Sequence, residues 1–121
     1  MKLSKRIIAL AFAVMLIAAF ATQASAAQVI ETGRYRGIFY NTITYCERVR
    51  CSGTLECDDS SMSKSVILIY IDGLGVEHIY PGPETTDIVA GSSRIVPDGI
   101  QTMTAKYLFN NTVVHTRSLE P

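Results

Sequence analysis

The chain has 121 residues, 48% apolar and 18% charged, with 11 basic and 11 acidic side chains and no Trp. That balance excludes a disordered, collagenous or coiled-coil chain. The length suits one domain of ordinary size, and a formal charge of zero disfavours a polybasic nucleic-acid binder.

The first element is an export signal. Lys2, Lys5 and Arg6 precede an unbroken apolar run over residues 7–20, and Ala24-Ser25-Ala26 supplies a small-residue cleavage site. The run is shorter than the roughly 20 residues a spanning helix needs. The order predicts cleavage after Ala26, so that 1–26 is a leader and 27–121 a single all-β domain. The expected destination is the periplasm or the exterior, an oxidising compartment, with no stable membrane insertion after cleavage. Three basic residues and no acidic ones leave with the leader, so the mature net charge is −3.

Beyond the leader the dominant period is two, that of half-buried antiparallel strands. A first strand is expected to place Tyr35, Gly37, Phe39, Ile43 and Tyr45 on one face and Arg34, Arg36, Tyr40, Thr42 and Thr44 on the other. Ser52-Gly53 reads as a turn, 54–57 as a short strand, and Asp58-Asp59-Ser60-Ser61 as a polar turn. Residues 66–71 form a continuous apolar run rich in β-branched residues, the expected most-buried strand. Gly73-Leu74-Gly75 turns the chain and 76–80 return it. Pro81-Gly82-Pro83 ends that strand, because proline cannot donate to a ladder.

Segments 87–90 and 94–96 flank Gly91-Ser92-Ser93, and Pro97-Asp98-Gly99 is a turn. Residues 100–109 alternate again, and Asn110-Asn111 fits a two-residue hairpin loop that faces Tyr107 to Val114 and Phe109 to Thr112. No helix is expected in the mature chain. Seven or eight short strands at this spacing predict an all-β fold. A small antiparallel β-barrel is the first choice, since closure removes exposed edges; a β-sandwich is the alternative.

Cys46, Cys51 and Cys57 predict one disulfide and one leftover thiol. The pairing leans to Cys46–Cys57, across a hairpin turning near Ser52, over Cys46–Cys51. The odd thiol is buried or links a dimer. Three cysteines with no neighbouring His do not make a zinc site, and no metal, cofactor or catalytic residue is assigned. Residues 65–75, SVILIYIDGLG, resemble the strand-then-Asp-Gly segment that opens alkaline-phosphatase-superfamily enzymes, where the Asp binds a metal. The resemblance covers 11 residues of 121. The longer chain, the further ligands and the Ser or Thr nucleophile on a following helix are all missing, so Asp72 reads as the end of a buried strand on a surface turn.

The clustered Arg34, Arg36, Arg48 and Arg50, with Tyr40, form the expected recognition surface. The expected function is a non-catalytic binding or inhibitory module for a protein partner or a small apolar ligand. Small periplasmic lysozyme inhibitors resemble it in size and class. The alternatives are a small secreted hydrolase using His78 or His115 with a carboxylate, and an envelope structural or assembly component.

Overall fold

Two adjacent residues with positive φ, Arg36 (51°) and Gly37 (79°), fold the chain back on itself early in a computed structural model that describes residues 26–121. The turn splits the first expected strand in two. Strand β1 (Ala27–Tyr35) pairs antiparallel with β2 (Ile38–Cys46), and β3 (Arg50–Glu56) continues the sheet. The remaining strands are β4 (Lys64–Asp72), β5 (Glu77–Pro81), β6 (Val89–Ile95), β7 (Ile100–Phe109) and β8 (Thr112–Leu119). No helix occurs among the described residues. The leader falls almost wholly outside those residues.

The strands form two four-stranded antiparallel sheets, in the orders β1-β2-β3-β6 and β5-β4-β7-β8. The fold is therefore a sandwich, which corrects the first-choice barrel. Among the described residues no ladder joins β5 to β6 or β1 to β8. At one seam Pro81, which has no N–H, ends the short β5. At the other the sheets meet through side chains: His115 Nε2 on β8 lies 3.1 Å from Glu31 Oε1 on β1, with Arg117 Nε 3.8 Å from the same oxygen.

The core lies between the sheets. Tyr40, Leu55 and Ala90 from the first sheet share one buried cluster with Val66, Leu68, Met103, Tyr107 and Phe109 from the second. As expected, residues 66–71 lie in a central strand, which alternates buried and half-buried positions. Gly53 is not a turn: it sits in mid β3, where an added Cβ would lie 2.7 Å from Val66 Cγ1. The missing side chain lets the sheets approach. Gly91-Ser92-Ser93 likewise runs through β6 rather than interrupting it. The β2–β3 hairpin instead turns at 47–49.

The faces of β2 are the reverse of expectation. Tyr40, Thr42, Thr44 and Cys46 point inward and are buried, whereas Phe39 points out. Hydrogen bonds satisfy Thr44 and Tyr40 of the inward set, while buried Thr42 Oγ1 has no partner among the described residues. Tyr107 Oη accepts from Thr44 Oγ1 (2.7 Å) and donates to Ile43 O (3.1 Å), and Tyr40 Oη donates to Val114 O (3.4 Å). A shift of one residue exchanges the faces of a strand, and the turn at Arg36-Gly37 sets that parity.

The β7–β8 hairpin turns at Asn110 (φ 50°) and Asn111 (φ 62°), as the residues imply. Phe109 faces Thr112 as expected. Tyr107, however, faces His115 and not Val114, because a bulge between Tyr107 and Leu108 inserts one residue in β8.

Candidate functional site

The space between the sheets holds a continuous cluster of buried side chains. Tyr107 occupies its centre with no exposed surface, and burial pushes its hydroxyl pKa up. Two grooves lie at loops. One, of about 310 Å³, runs between Glu47-Arg48-Val49 and Pro97-Asp98-Gly99. The other, of about 670 Å³, is lined by Asp58, Ser60, Thr86, Asp87, Ile88 and Val89. Both are walled largely by loop residues.

The outer face of the first sheet carries several exposed apolar side chains in one plane. Ile30 (67% exposed), Phe39 (67%), Val89 (50%) and Ile95 (69%) all stand on it. Cross-strand register sets Ile30 beside Ile43, then Thr54, then Gly91. The next row is Gln28, Tyr45, Ser52 and Ser93. Two rows of small or uncharged residues thus form the middle, with larger apolar groups around them.

Arginines sit at both ends of this face. The Arg34 guanidinium lies 4.2 Å from the Phe39 ring centroid, and that of Arg50 lies 5.5 Å from the Tyr45 ring. Such stacking holds a cation flat on an aromatic face. Tyr45 Oη also donates to Glu47 Oε2 (2.6 Å), and Glu47 Oε1 lies 3.5 Å from Arg50 Nε. That carboxylate raises the Tyr45 pKa, mainly by accepting its hydrogen bond.

The five expected recognition residues do not form one patch. Arg34 and Arg36 lie at the β1–β2 turn, while Arg48 and Arg50 lie at the far end of β2. Nine residues of strand separate the pairs, about 30 Å. Tyr40 leaves the set altogether, because it points into the core and is 5% exposed.

The cysteines are three free, buried thiols. Register places Cys46 directly opposite Cys51. Cys57 follows Glu56, which pairs with Asn41 near the other end of β2. It is six residues, about 20 Å of strand, from Cys51. The leaning towards Cys46–Cys57 is thereby corrected: the hairpin turns at 47–49 and not near Ser52, so Cys57 is carried away from Cys46.

Each histidine has a carboxylate. His78 Nε2 lies 2.8 Å from Asp72 Oδ2, and its ring stacks on Tyr70 at 4.9 Å. Asp72 Oδ1 accepts from the backbone N–H groups of Leu74 (2.9 Å) and Val76 (3.0 Å). These bonds, His78 first, hold the Asp72 carboxyl below its ordinary value. Asp72 is thus a buried brace for the β4–β5 turn, not an open surface turn residue. Such a pair can orient an imidazole for proton transfer. Among the described residues, though, the side-chain hydrogen bonds of both histidines go to carboxylates. His78 and His115 lie on opposite edge strands of the second sheet, three strand spacings across and four residues of register along it, about 20 Å apart.

Lys64 is the feature sequence reasoning missed. It is fully buried, and its ammonium donates to Asp59 O (2.7 Å) and Asp87 O (2.9 Å), with Thr86 O (3.3 Å) and Met62 O (3.5 Å) further off. One cation therefore ties the β3–β4 loop to the β5–β6 loop. The available signal was a single Lys among seven acidic residues between 56 and 87. Compared with protein-family models, curated proteins and solved structures, the chain has no significant match.

Proposed function

We propose that the protein is an exported binding module whose partner is another protein, engaged by the outer face of the first sheet. One observation carries the reading: Ile30, Phe39, Val89 and Ile95 are each at least half exposed on a single sheet face. Arg34 and Arg50 stack on aromatic rings at its two ends. Flat apolar surface with aromatic and arginine anchors is the composition of protein-recognition patches. The buried side-chain cluster between the sheets and the placement of both grooves at loops favour a protein partner over an enclosed apolar ligand. In this reading the two imidazole–carboxylate pairs are structural: one braces the β4–β5 turn and the other bridges the β1–β8 seam.

The test is site-specific photo-crosslinking in envelope and culture-medium fractions, with the photoreactive residue at Phe39 or, as control, at Ile69 on the outer face of the second sheet. A discrete adduct from Phe39, lost when Ile95→Glu is added and absent from Ile69, is expected. Adducts from Ile69 alone would overturn the choice of face. A hydrolytic activity abolished by His78→Gln or His115→Gln would overturn the non-catalytic reading.

A further inference from the structure

We propose that Cys46 and Cys51 are a built-in disulfide site across the β2–β3 hairpin, with Cys57 as the thiol left over. The inference deepens the exported reading, since it needs an oxidising environment, but it is tested independently of export.

The hydrogen-bond phase of the hairpin decides whether opposed cysteines can be bridged. Glu47 N donates to Arg50 O at 2.8 Å, so the Glu47/Arg50 pair is on the hydrogen-bonded phase. The adjacent pair, Cys46/Cys51, is then on the non-hydrogen-bonded phase. The β1–β2 turn gives the same answer. Its two-residue loop makes Tyr35/Ile38 a hydrogen-bonded pair, so every second residue of β2 to Cys46 bonds toward β1 and not toward β3. In the non-hydrogen-bonded phase opposed Cα atoms are about 4.5 Å apart with their side chains drawn together. That spacing lies within the range a disulfide accepts. Both side chains also point to the same, inward face and have no exposed surface. Cys57, though buried too, faces neither.

The chemistry is a thiol–disulfide exchange with a small or protein disulfide as oxidant. The Cys46 thiolate attacks one sulfur of the oxidant, forming a mixed disulfide and releasing one thiol, which takes up a proton. The Cys51 thiolate then attacks Cys46 Sγ and expels the second thiol, also protonated. Two protein S–H bonds are lost and one S–S bond forms, while the oxidant's S–S bond becomes two S–H bonds. In the folded protein burial pushes the Cys46 thiol up to about 12 and the Cys51 thiol up to about 11. Thiolate is therefore scarce once the sheets have closed, and the bond forms as the hairpin forms, before the core covers it. The link lies at the base of the 47–49 tip. Arg48 and Val49 carbonyls there accept from Ile100 N (2.8 Å) and Val96 N (2.6 Å), so the cross-link anchors the groove between this tip and Pro97-Asp98-Gly99.

The experiment refolds the reduced, denatured full chain in a glutathione redox buffer. Remaining thiols are alkylated, and the unreduced protein is digested with trypsin plus a glutamate-specific protease. Cleavage at Arg36, Glu47, Arg50, Glu56 and Lys64 puts Cys46 on fragment 37–47, Cys51 on 51–56 and Cys57 on 57–64. The expected map links 37–47 to 51–56, two hydrogens lighter than the sum of the free fragments, with Cys57 alkylated. Cys57→Ser should give the same link, and Cys51→Ser should give no intramolecular link. A link that includes 57–64, or alkylation at all three positions after oxidative refolding, overturns the proposal. Failure of export would leave this map unchanged, so the two readings fail separately.

Discussion

Replacing Lys64 with Met keeps the buried aliphatic stem and deletes the ammonium. Two short bonds are lost, to Asp59 O (2.7 Å) and Asp87 O (2.9 Å), and two long contacts go with them. Hydrogen bonds to a charged group contribute about 1.5–3 kcal/mol each. The stability regained by no longer desolvating a cation offsets part of that loss. Water also reaches some of the freed carbonyls, because Asp87 and Thr86 are exposed residues. The net cost is then about 3 kcal/mol, a melting temperature lower by about 12–24 °C for a domain of this size. Urea unfolding and calorimetry of the Lys64→Met variant measure it, with Lys106→Met on the outer sheet face as control, expected within about 0.5 kcal/mol of wild type. Amide exchange should speed at Lys64 and Thr85, whose backbones exchange both hydrogen bonds. A Lys64→Met loss under about 1 kcal/mol, or an equal loss in the control, would refute the argument that this one cation joins the two loops.

Tyr107→Phe should cost about 1–2 kcal/mol, since it strands buried Thr44 Oγ1 and removes the bond to Ile43 O; equal stability in urea would contradict that. Gly53→Ala should destabilise by about 1–3 kcal/mol, because the new methyl meets Val66 Cγ1 at 2.7 Å and Tyr107 Oη at 3.0 Å; thermal melts read the outcome. Asp72 has a depressed folded pKa, so its contribution is present above its unfolded value of about 4 and is lost as pH falls through the folded one. Asp72→Asn should therefore melt lower than wild type at pH 6, with the gap closing towards pH 2; a gap independent of pH would contradict the carboxylate's role.

How much was legible depended on how local the signal was. Strand β7 matches the alternation of residues 100–109, and the Pro97-Asp98-Gly99 and Asn110-Asn111 turns stand where their residues put them. The end of β5 at Pro81 was equally readable. The Arg36-Gly37 turn was not, because its residues fit the alternation of a longer strand. That single omission reversed the faces of β2 and brought Tyr40 into the recognition set. The exposed patch was partly legible: Arg34 and Arg50 belong to it, but Phe39, assigned to the face opposite the arginines, became visible only once the parity was known.

The sequence by itself determined that this chain is all-β, with seven or eight strands and turns at Gly73-Leu74-Gly75, Pro97-Asp98-Gly99 and Asn110-Asn111. Those features rest on period-two patterning and on residues that tolerate positive φ, which neighbours along the chain decide. Only the tertiary structure decided sandwich against barrel, Cys51 against Cys57 as the residue facing Cys46, and the burial of Lys64. Each depends on what stands across a sheet or between loops. Thr44 is acceptable in the core because Tyr107 reaches it from the other sheet, and Lys64 because carbonyls from two separate loops surround its charge. The places of Thr44 and Lys64 are set by the partners that satisfy them, and such a partner can be 63 residues away.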